Sequence, residues 1–339
     1  MEVVIVGRDA VAKACPLCGP GPTELEFEAG LVTPPLVRCV GCALVFQATD
    51  PPPAQLAAAY DETYGPNRRR FGRLVEAAVR MFRLARVRLA VRLIPEGARV
   101  LDVGCGRGTF LAMLAERGYE VRGFERSSSA AALAGTTAPV DFGEFRPGSY
   151  PRDSFDLVCL WHVLEHAHEP DVMLAAVRAC LAPNGKLLMA VPNYASLQAQ
   201  WGREHWFPLD LPRHICHFTP ATLARLLEAA GLRIDTVHTG QWEMDPFAVV
   251  QTALNRMGVQ RDALYTSLYD NAAARSRVPV LWRPFLFAFA AIAAAPACLF
   301  SIIERALGRG GTLIVTASRA DNGSGSDAAE ASHESRESG

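Results

Sequence analysis

Short apolar runs alternate with stretches of helical spacing through the middle of the chain. Val100, Leu101 and Val103 form a run of the kind that buries as a strand, and Thr109-Phe-Leu-Ala-Met-Leu-Ala-Glu-Arg117 follows with helical periodicity. Further runs predict strands over 120–126, 154–160 and 186–193, and 140–145 predicts another strand with the loop behind it. Helices are expected over 130–134, 171–181 and 220–230, with a turn at Pro183-Asn-Gly185. Segments 232–238 and 312–318 read as the sixth and seventh strands. Strands and helices alternating this regularly predict an α/β fold, a doubly wound, Rossmann-like seven-stranded sheet.

Two stretches depart from that rhythm. A long Arg-rich amphipathic helix is expected from Arg68 to about Ile94, with Phe71, Leu74, Val75, Ala78, Phe82 and Leu89 on its apolar face and Pro95-Glu-Gly97 as its stop. Between the sixth and seventh strands lies an insertion of about seventy residues, far longer than a hairpin needs. Within it, Pro284 to Ile303 carries no charge over a membrane-spanning length, with Pro296 near the middle and Arg283, Arg305 and Arg309 at its flanks. A seventh strand after it rules out a simple span, which leaves burial in the protein, a homodimer interface or a dip into one leaflet. Pro296 marks where a helix-turn-helix dip would bend, so peripheral membrane contact through 279–306 is the favoured expectation.

The N-terminal segment has a different chemistry. Cys15-Pro-Leu-Cys18 and Cys39-Val-Gly-Cys42 are two CxxC knuckles separated by a hairpin-sized segment. Four thiolates at that spacing suit one tetrahedral structural zinc, which would fold a module too small to bury enough core alone. Pro51-Pro-Pro53 ends the module, and Ala54 to Tyr60 reads as a short helix. The other cysteines, Cys105, Cys159, Cys180, Cys216 and Cys298, are scattered singly, the habit of reduced cytoplasmic thiols. Met1 to Gly7 is apolar but short and lacks a basic leader, so no secretory signal is expected. The expected organisation is a zinc ribbon over 1–53 and a helical cap or linker over 54–97. A ligand-binding domain follows over 98–241 and 311–319, a hydrophobic helical insertion over 242–310, and a disordered tail over 320–339. A net charge of −1 over 339 residues gives no reason to expect a nucleic-acid partner.

The chemistry concentrates after the first strand of the sheet. Asp102 ends that strand, and Gly104, Gly106 and Gly108 then alternate as G-x-G-x-G. Such a turn lets the backbone approach a ligand closely at a helix N-terminus. Glu125, about twenty residues on at the end of the next strand, is placed to accept both ribose hydroxyls of a nucleoside. Asp141 and Glu144 both fall where an adenine would be flanked, and the sequence does not choose between them.

This order of motifs resembles the class I S-adenosylmethionine (SAM) methyltransferases over residues 98 to 240. The runs Phe155-Asp-Leu-Val158 and His162-Val-Leu-Glu-His166 resemble bacterial members, including the ubiquinone-pathway O-methyltransferases. The resemblance implies SAM as cofactor and methyl transfer, with Asp102, the three glycines and Glu125 holding it. Two further histidines lie in Asp210-Leu-Pro-Arg-His-Ile-Cys-His217, where the family also carries a histidine before the same helix. His166 or His214 would then be the general base that takes a hydroxyl proton. A second divalent metal at His162, Glu165, His166 and His214 is the competing reading, and plain hydrogen-bonding histidines are a third. The expected acceptor is a small molecule, a sugar or a lipid-linked intermediate, methylated on oxygen. Sugar C-methylation and a non-catalytic membrane-attached SAM-binding scaffold are the alternatives. Location is expected to be cytoplasmic, with peripheral attachment to the cytoplasmic face of the inner membrane. The aromatic loop Trp201 to Phe207 reads either as a lid on the acceptor site or as core.

Overall fold

A computed structural model of the chain describes residues 5–6, 10–11, 13–27, 32–52, 73–126, 138–269 and 275–320. The short helices expected at 54–60 and 130–134, the start of the Arg-rich helix and the C-terminal tail lie outside the described residues.

Beyond a two-stranded hairpin, β1 (Ile5–Val6) with β2 (Ala10–Val11), the strands form two sheets. The larger has seven strands. β6 (Arg99–Val103), β7 (Glu120–Glu125), β8 (Val140–Phe142), β9 (Phe155–Trp161) and β10 (Leu181–Pro192) form its parallel part, each hydrogen-bonded to its neighbour in the sheet. β12 (Leu232–Thr239) and β13 (Thr312–Arg319) complete it, with β13 antiparallel to both its neighbours. The order is β12-β13-β10-β9-β6-β7-β8. Chain direction across the sheet therefore reverses between β6 and β9, and a crevice opens at the carboxyl ends of those two strands.

Val100 and Leu101 in β6 and Leu157 to Leu160 in β9 are fully buried, as strands covered on both faces require. The turn expected at Pro183-Asn-Gly185 is absorbed into β10, whose pairing with β9 stops at Leu181 and resumes at Lys186. α1 (Arg73–Val91) and α2 (Thr109–Ala115) pack together on one face. α3 (Pro170–Cys180) and α5 (Pro220–Ala229) cover the other, while α4 (Leu197–Gly202) follows β10.

The smaller sheet has the order β11-β5-β4-β3. β3 (Thr23–Leu25), β4 (Leu36–Cys39) and β5 (Val45–Gln47) come from the cysteine-rich segment, whereas β11 (Cys216–His217) comes from the loop before α5. One strand of the N-terminal module's sheet is thus lent by the large domain.

The insertion contains α6 (Asp245–Arg256), α7 (Ala263–Leu268) and α8 (Arg283–Ala306). The helix-turn-helix expected at Pro296 is not formed: α8 runs through it as one helix. Proline removes only one backbone donor, and both halves of α8 are held on the same neighbours. Leu286 anchors the first half and Ala297 the second against α6 and α7, and the buried Glu304 carboxylate accepts from Gln198 at 2.7 Å.

Candidate active site

The glycine turn sits between β6 and α2, at the reversal point. Gly104, Gly106 and Gly108 all have φ between +55° and +73°, the left-handed region. A Cβ on Gly104 would come within 2.4 Å of Val163 Cγ2, so the turn needs glycine there for space as well as for φ. Glu125 is buried at the end of β7, and its carboxylate accepts from the Gly106 amide at 2.7 Å and the Arg126 amide at 2.8 Å. It both braces the turn and walls the crevice.

Two cavities meet here. The larger, about 760 Å³, contains Asp102, the glycine turn, His166 and His214 in its wall. The smaller, about 180 Å³, is walled by Glu125 and Glu144, and both share Gly104, Trp161, His162 and His166. Glu144 is therefore in the crevice. Asp141 is not: it accepts from Arg122 at 2.7 Å and from the Tyr150 hydroxyl at 2.6 Å, outside both cavities. Asp102 is buried with its Oδ1 lacking a hydrogen-bond partner among the described residues. Burial raises its pKa to about 7. A cofactor carrying an ammonium group would satisfy that oxygen, and the neighbouring Glu125 and Glu144 suit a nucleoside. The residues present fit SAM.

The two histidines singled out from sequence come together. Their rings lie edge to face with centroids 4.7 Å apart. His166 Nδ1 lies 2.9 Å from the Arg213 carbonyl, and His214 Nδ1 lies 2.8 Å from the Pro208 carbonyl. A carbonyl only accepts, so each Nδ1 carries a proton, and in a neutral ring the lone pair then sits on Nε2; the Nε2 of His214 stands 3.5 Å from Asp210 Oδ2. Burial, then the nearby His166, His217 and Arg213, hold the pKa of His214 well below its ordinary value, which keeps it neutral. Glu165 is buried beside them, and its Oε2 has no hydrogen-bond partner among the described residues.

Ligand atoms of Glu165, His166 and His214 all lie within 4.8 Å of one another. His162, the fourth member expected from sequence, stands outside that group. Its Nδ1 is 3.3 Å from Glu165 Oε1, its Nε2 faces Gln241 Oε1 at 3.1 Å, and its φ is +55°. Burial works against its protonated form, but Glu165 outweighs that and raises its pKa.

The far wall of the larger cavity is aromatic. Phe207, Phe247 and Tyr265 stack with centroids 5.2 to 5.9 Å apart, and Cys298 of α8 closes it. Of the aromatic loop, only Phe207 reaches this wall. Trp206 is core, donating its indole N–H to Gln198, and Trp201 is half-exposed under Arg256. α1 does cover the crevice: Arg86 lies 5.0 Å above the Trp161 ring and pairs with Glu243 of the insertion at 2.6 Å. Sequence gave no sign of Arg86, Arg213 or Tyr265 as wall residues, because each faces the cavity through contacts between segments far apart in the chain.

The four cysteines converge as their spacing predicts. Cys15 and Cys42 Sγ are 3.5 Å apart, Cys18 and Cys39 Sγ 3.4 Å, and all four lie within 4.8 Å of one another. Tetrahedral thiolates at the usual zinc distance stand about 3.8 Å apart, so the set fits a zinc ion.

Residues 72–237 match the family model described as a methyltransferase domain. The chain is 32% identical over 164 residues to the ubiquinone biosynthesis O-methyltransferase of Xanthomonas axonopodis pv. citri (strain 306), covering 44% of this chain and 68% of that protein. It is 30% identical over 152 residues to the protein of the same description from Aeromonas salmonicida (strain A449), covering 41% of this chain and 64% of that one. Among solved structures, an Archaeoglobus fulgidus SAM-dependent methyltransferase aligns over 78% of this chain and 99% of its own, with a TM-score of 0.47 and 19% identity. With these relatives and this crevice, the chain belongs to the class I SAM-dependent methyltransferases and is an enzyme.

Proposed function

We propose that the enzyme methylates a hydroxyl oxygen on a small ring-bearing acceptor, a sugar or a lipid-linked biosynthetic intermediate, with His214 or His166 as general base. The observation that carries this reading is the pair of neutral-capable imidazoles, each with Nδ1–H given to a backbone carbonyl, in the wall of the cavity that holds the glycine turn. The relatives named for ubiquinone biosynthesis support oxygen as the accepting atom and a lipid-linked ring as its carrier.

When bound, SAM would supply a methyl carbon carried on a sulfonium sulfur, with the neutral thioether as the leaving group for an acceptor oxygen. Asp102 and Glu125 orient the cofactor. The aromatic wall of Phe207, Phe247 and Tyr265 takes the acceptor ring. An imidazole Nε2 receives the hydroxyl proton as the O–C bond forms. His166→Asn and His214→Asn should lower kcat on an accepted substrate while SAM affinity holds. Candidate hydroxylated glycans and quinone precursors, screened by mass for one added methyl, identify the substrate, and NMR of the product reads its attachment. A methyl bonded to carbon, or full turnover in both histidine variants, overturns the reading.

Glu165 favours a second reading for the same histidines, since a buried carboxylate whose Oε2 has no hydrogen-bond partner among the described residues, and whose Oε1 has His162 at 3.3 Å, suits a divalent cation. Glu165, His166 and His214 would hold it, and it would lower the pKa of a bound acceptor hydroxyl. Undiminished kcat after dialysis against EDTA excludes that cation. Structural zinc at Cys15, Cys18, Cys39 and Cys42 belongs to this proposal, as does cytoplasmic location with α8 on the membrane surface.

A further inference from the structure

The N-terminal module touches the proposed base directly. β5 pairs antiparallel with β11, Phe46 opposite Cys216 and Val45 opposite His217. At the end of β5, Gln47 is fully buried. Its side-chain amide donates to the Pro212 carbonyl at 2.8 Å and the His214 carbonyl at 2.9 Å, and its backbone N–H donates to the Ile215 carbonyl at 3.0 Å. Three carbonyl acceptors at and around His214, those of Pro212, His214 and Ile215, are thus met by one residue of another module. From the opposite side, the Ile215 amide donates to the Glu165 carbonyl at 2.7 Å, which ties the same loop to the segment carrying His166.

The second cysteine knuckle is the turn that makes β5. Cys39 ends β4, its amide donates to the Leu44 carbonyl at 2.9 Å, and Ala43 donates back to Cys39 at 2.8 Å. Cys42 then lies five residues before Gln47. Closing the four thiolates on one ion fixes the β4–β5 hairpin, and the hairpin fixes where Gln47 stands.

We propose that the cysteine module is a positioning device for the active site, with Gln47 as the positioning residue that holds the 212–215 backbone so that His214 faces the cavity. This rests on the reading of His214 as base, and it gives the metal-binding module a part in the reaction without any contact with cofactor or acceptor. The coupling runs ion, hairpin, Gln47, loop, imidazole, with the Gln47 side-chain amide as its link to the loop carbonyls.

Gln47→Met keeps the volume and removes both side-chain donors. The full-length variant should retain zinc and SAM affinity while kcat falls about tenfold or more, as expected when a catalytic group is misplaced by a fraction of an ångström. The reading that a merely structural role would not move is the His214 imidazole resonance in nitrogen-edited NMR, which should shift or broaden as the freed 212–215 backbone lets the ring move relative to the Pro208 carbonyl that its Nδ1 meets at 2.8 Å. Chelating zinc from the wild-type protein should reproduce that shift, together with faster amide exchange over 210–217 and none over the β6–β9 strands. A wild-type His214 resonance in both Gln47→Met and zinc-free protein overturns the proposal, as does a loss of melting temperature with kcat unchanged. If Gln47→Met fails to fold, the zinc-free wild-type comparison decides alone. A shifted resonance with normal turnover in His214→Asn keeps the coupling and rejects His214 as base, so the two failures read differently.

Discussion

Glu125 carries two duties that a single substitution can separate. Its carboxylate accepts from Gly106 and Arg126, and the same group walls the cavity expected to take a ribose. A charge-assisted hydrogen bond to a ligand contributes roughly 1.5–3 kcal/mol. Glu125→Ala should therefore weaken SAM binding at least tenfold in titration calorimetry, and Glu125→Gln, which keeps one acceptor for the turn, should bind between the two. Equal affinity in all three proteins would move the ribose contact elsewhere. The position of Glu125 was legible in sequence because the strand end and the glycine turn fix the spacing of the backbone between them. The choice between Asp141 and Glu144 was not legible. Asp141 is drawn off by Arg122 and Tyr150, two partners that reach it only once β7 and β8 are paired.

His217 makes a second residue-scale expectation. Burial alone pushes its pKa down to about 3 from an ordinary 6.5. With the folded value depressed, the unfolded chain takes up the proton first as pH falls below 6.5. Stability is unaffected above that pH and declines between 6.5 and about 3, by about 2 kcal/mol at pH 5. His217→Gln should flatten the fall in melting temperature between pH 7 and 5 relative to wild type. Parallel curves would show that His217 does not stay neutral in the fold.

Among the elements, the cysteine module shows what spacing can and cannot say. Two CxxC pairs at hairpin distance foretold that four sulfurs would meet, because each knuckle is a tight turn whose geometry is local. Nothing in the spacing foretold that β5 would find its partner in β11, from a segment well over a hundred residues away. Cys39→Ser should lower the zinc content below one ion per chain and destabilise the β3–β5 sheet first, read as early amide exchange over 36–47 ahead of the large sheet. Undiminished zinc in that protein refutes the four-thiolate site. The proline in α8 teaches the complementary lesson. Sequence marked Pro296 as the turn between two helices, but the helix continues through it, and Leu286 at one end and Glu304 at the other are both held in the body of the protein.

At the scale of the whole molecule, α8 is the feature that composition and fold leave unreconciled without a further partner. The stretch Val280–Ala306 has a mean hydropathy of 2.3 over its best window, yet only 17% of that window is buried. Leu281 is 92% and Ile292 78% exposed, and Leu299, Ile302 and Ile303 continue the same uncovered surface. A span is excluded by geometry, because Glu304 is buried against Gln198 and β13 follows at once into the seven-stranded sheet. The helix lies along the protein with one side on α6 and α7 and its apolar side outward. Lying in the plane of a leaflet matches that arrangement, with Arg305 and Arg309 near one end to meet anionic headgroups at about 1 kcal/mol each. It also puts Cys298, which closes the aromatic wall of the larger cavity, on the helix that would touch lipid, a short path for an acceptor with a lipid tail. The protein should float with vesicles containing phosphatidylglycerol and less with neutral ones. A triple variant, Ile292→Gln, Leu299→Gln and Ile303→Gln, should lose flotation while keeping SAM affinity, since all three side chains point away from the core. A protein that ignores vesicles but forms a detergent-free dimer, split by the same three substitutions, would assign the face to a second copy of the chain and overturn membrane attachment.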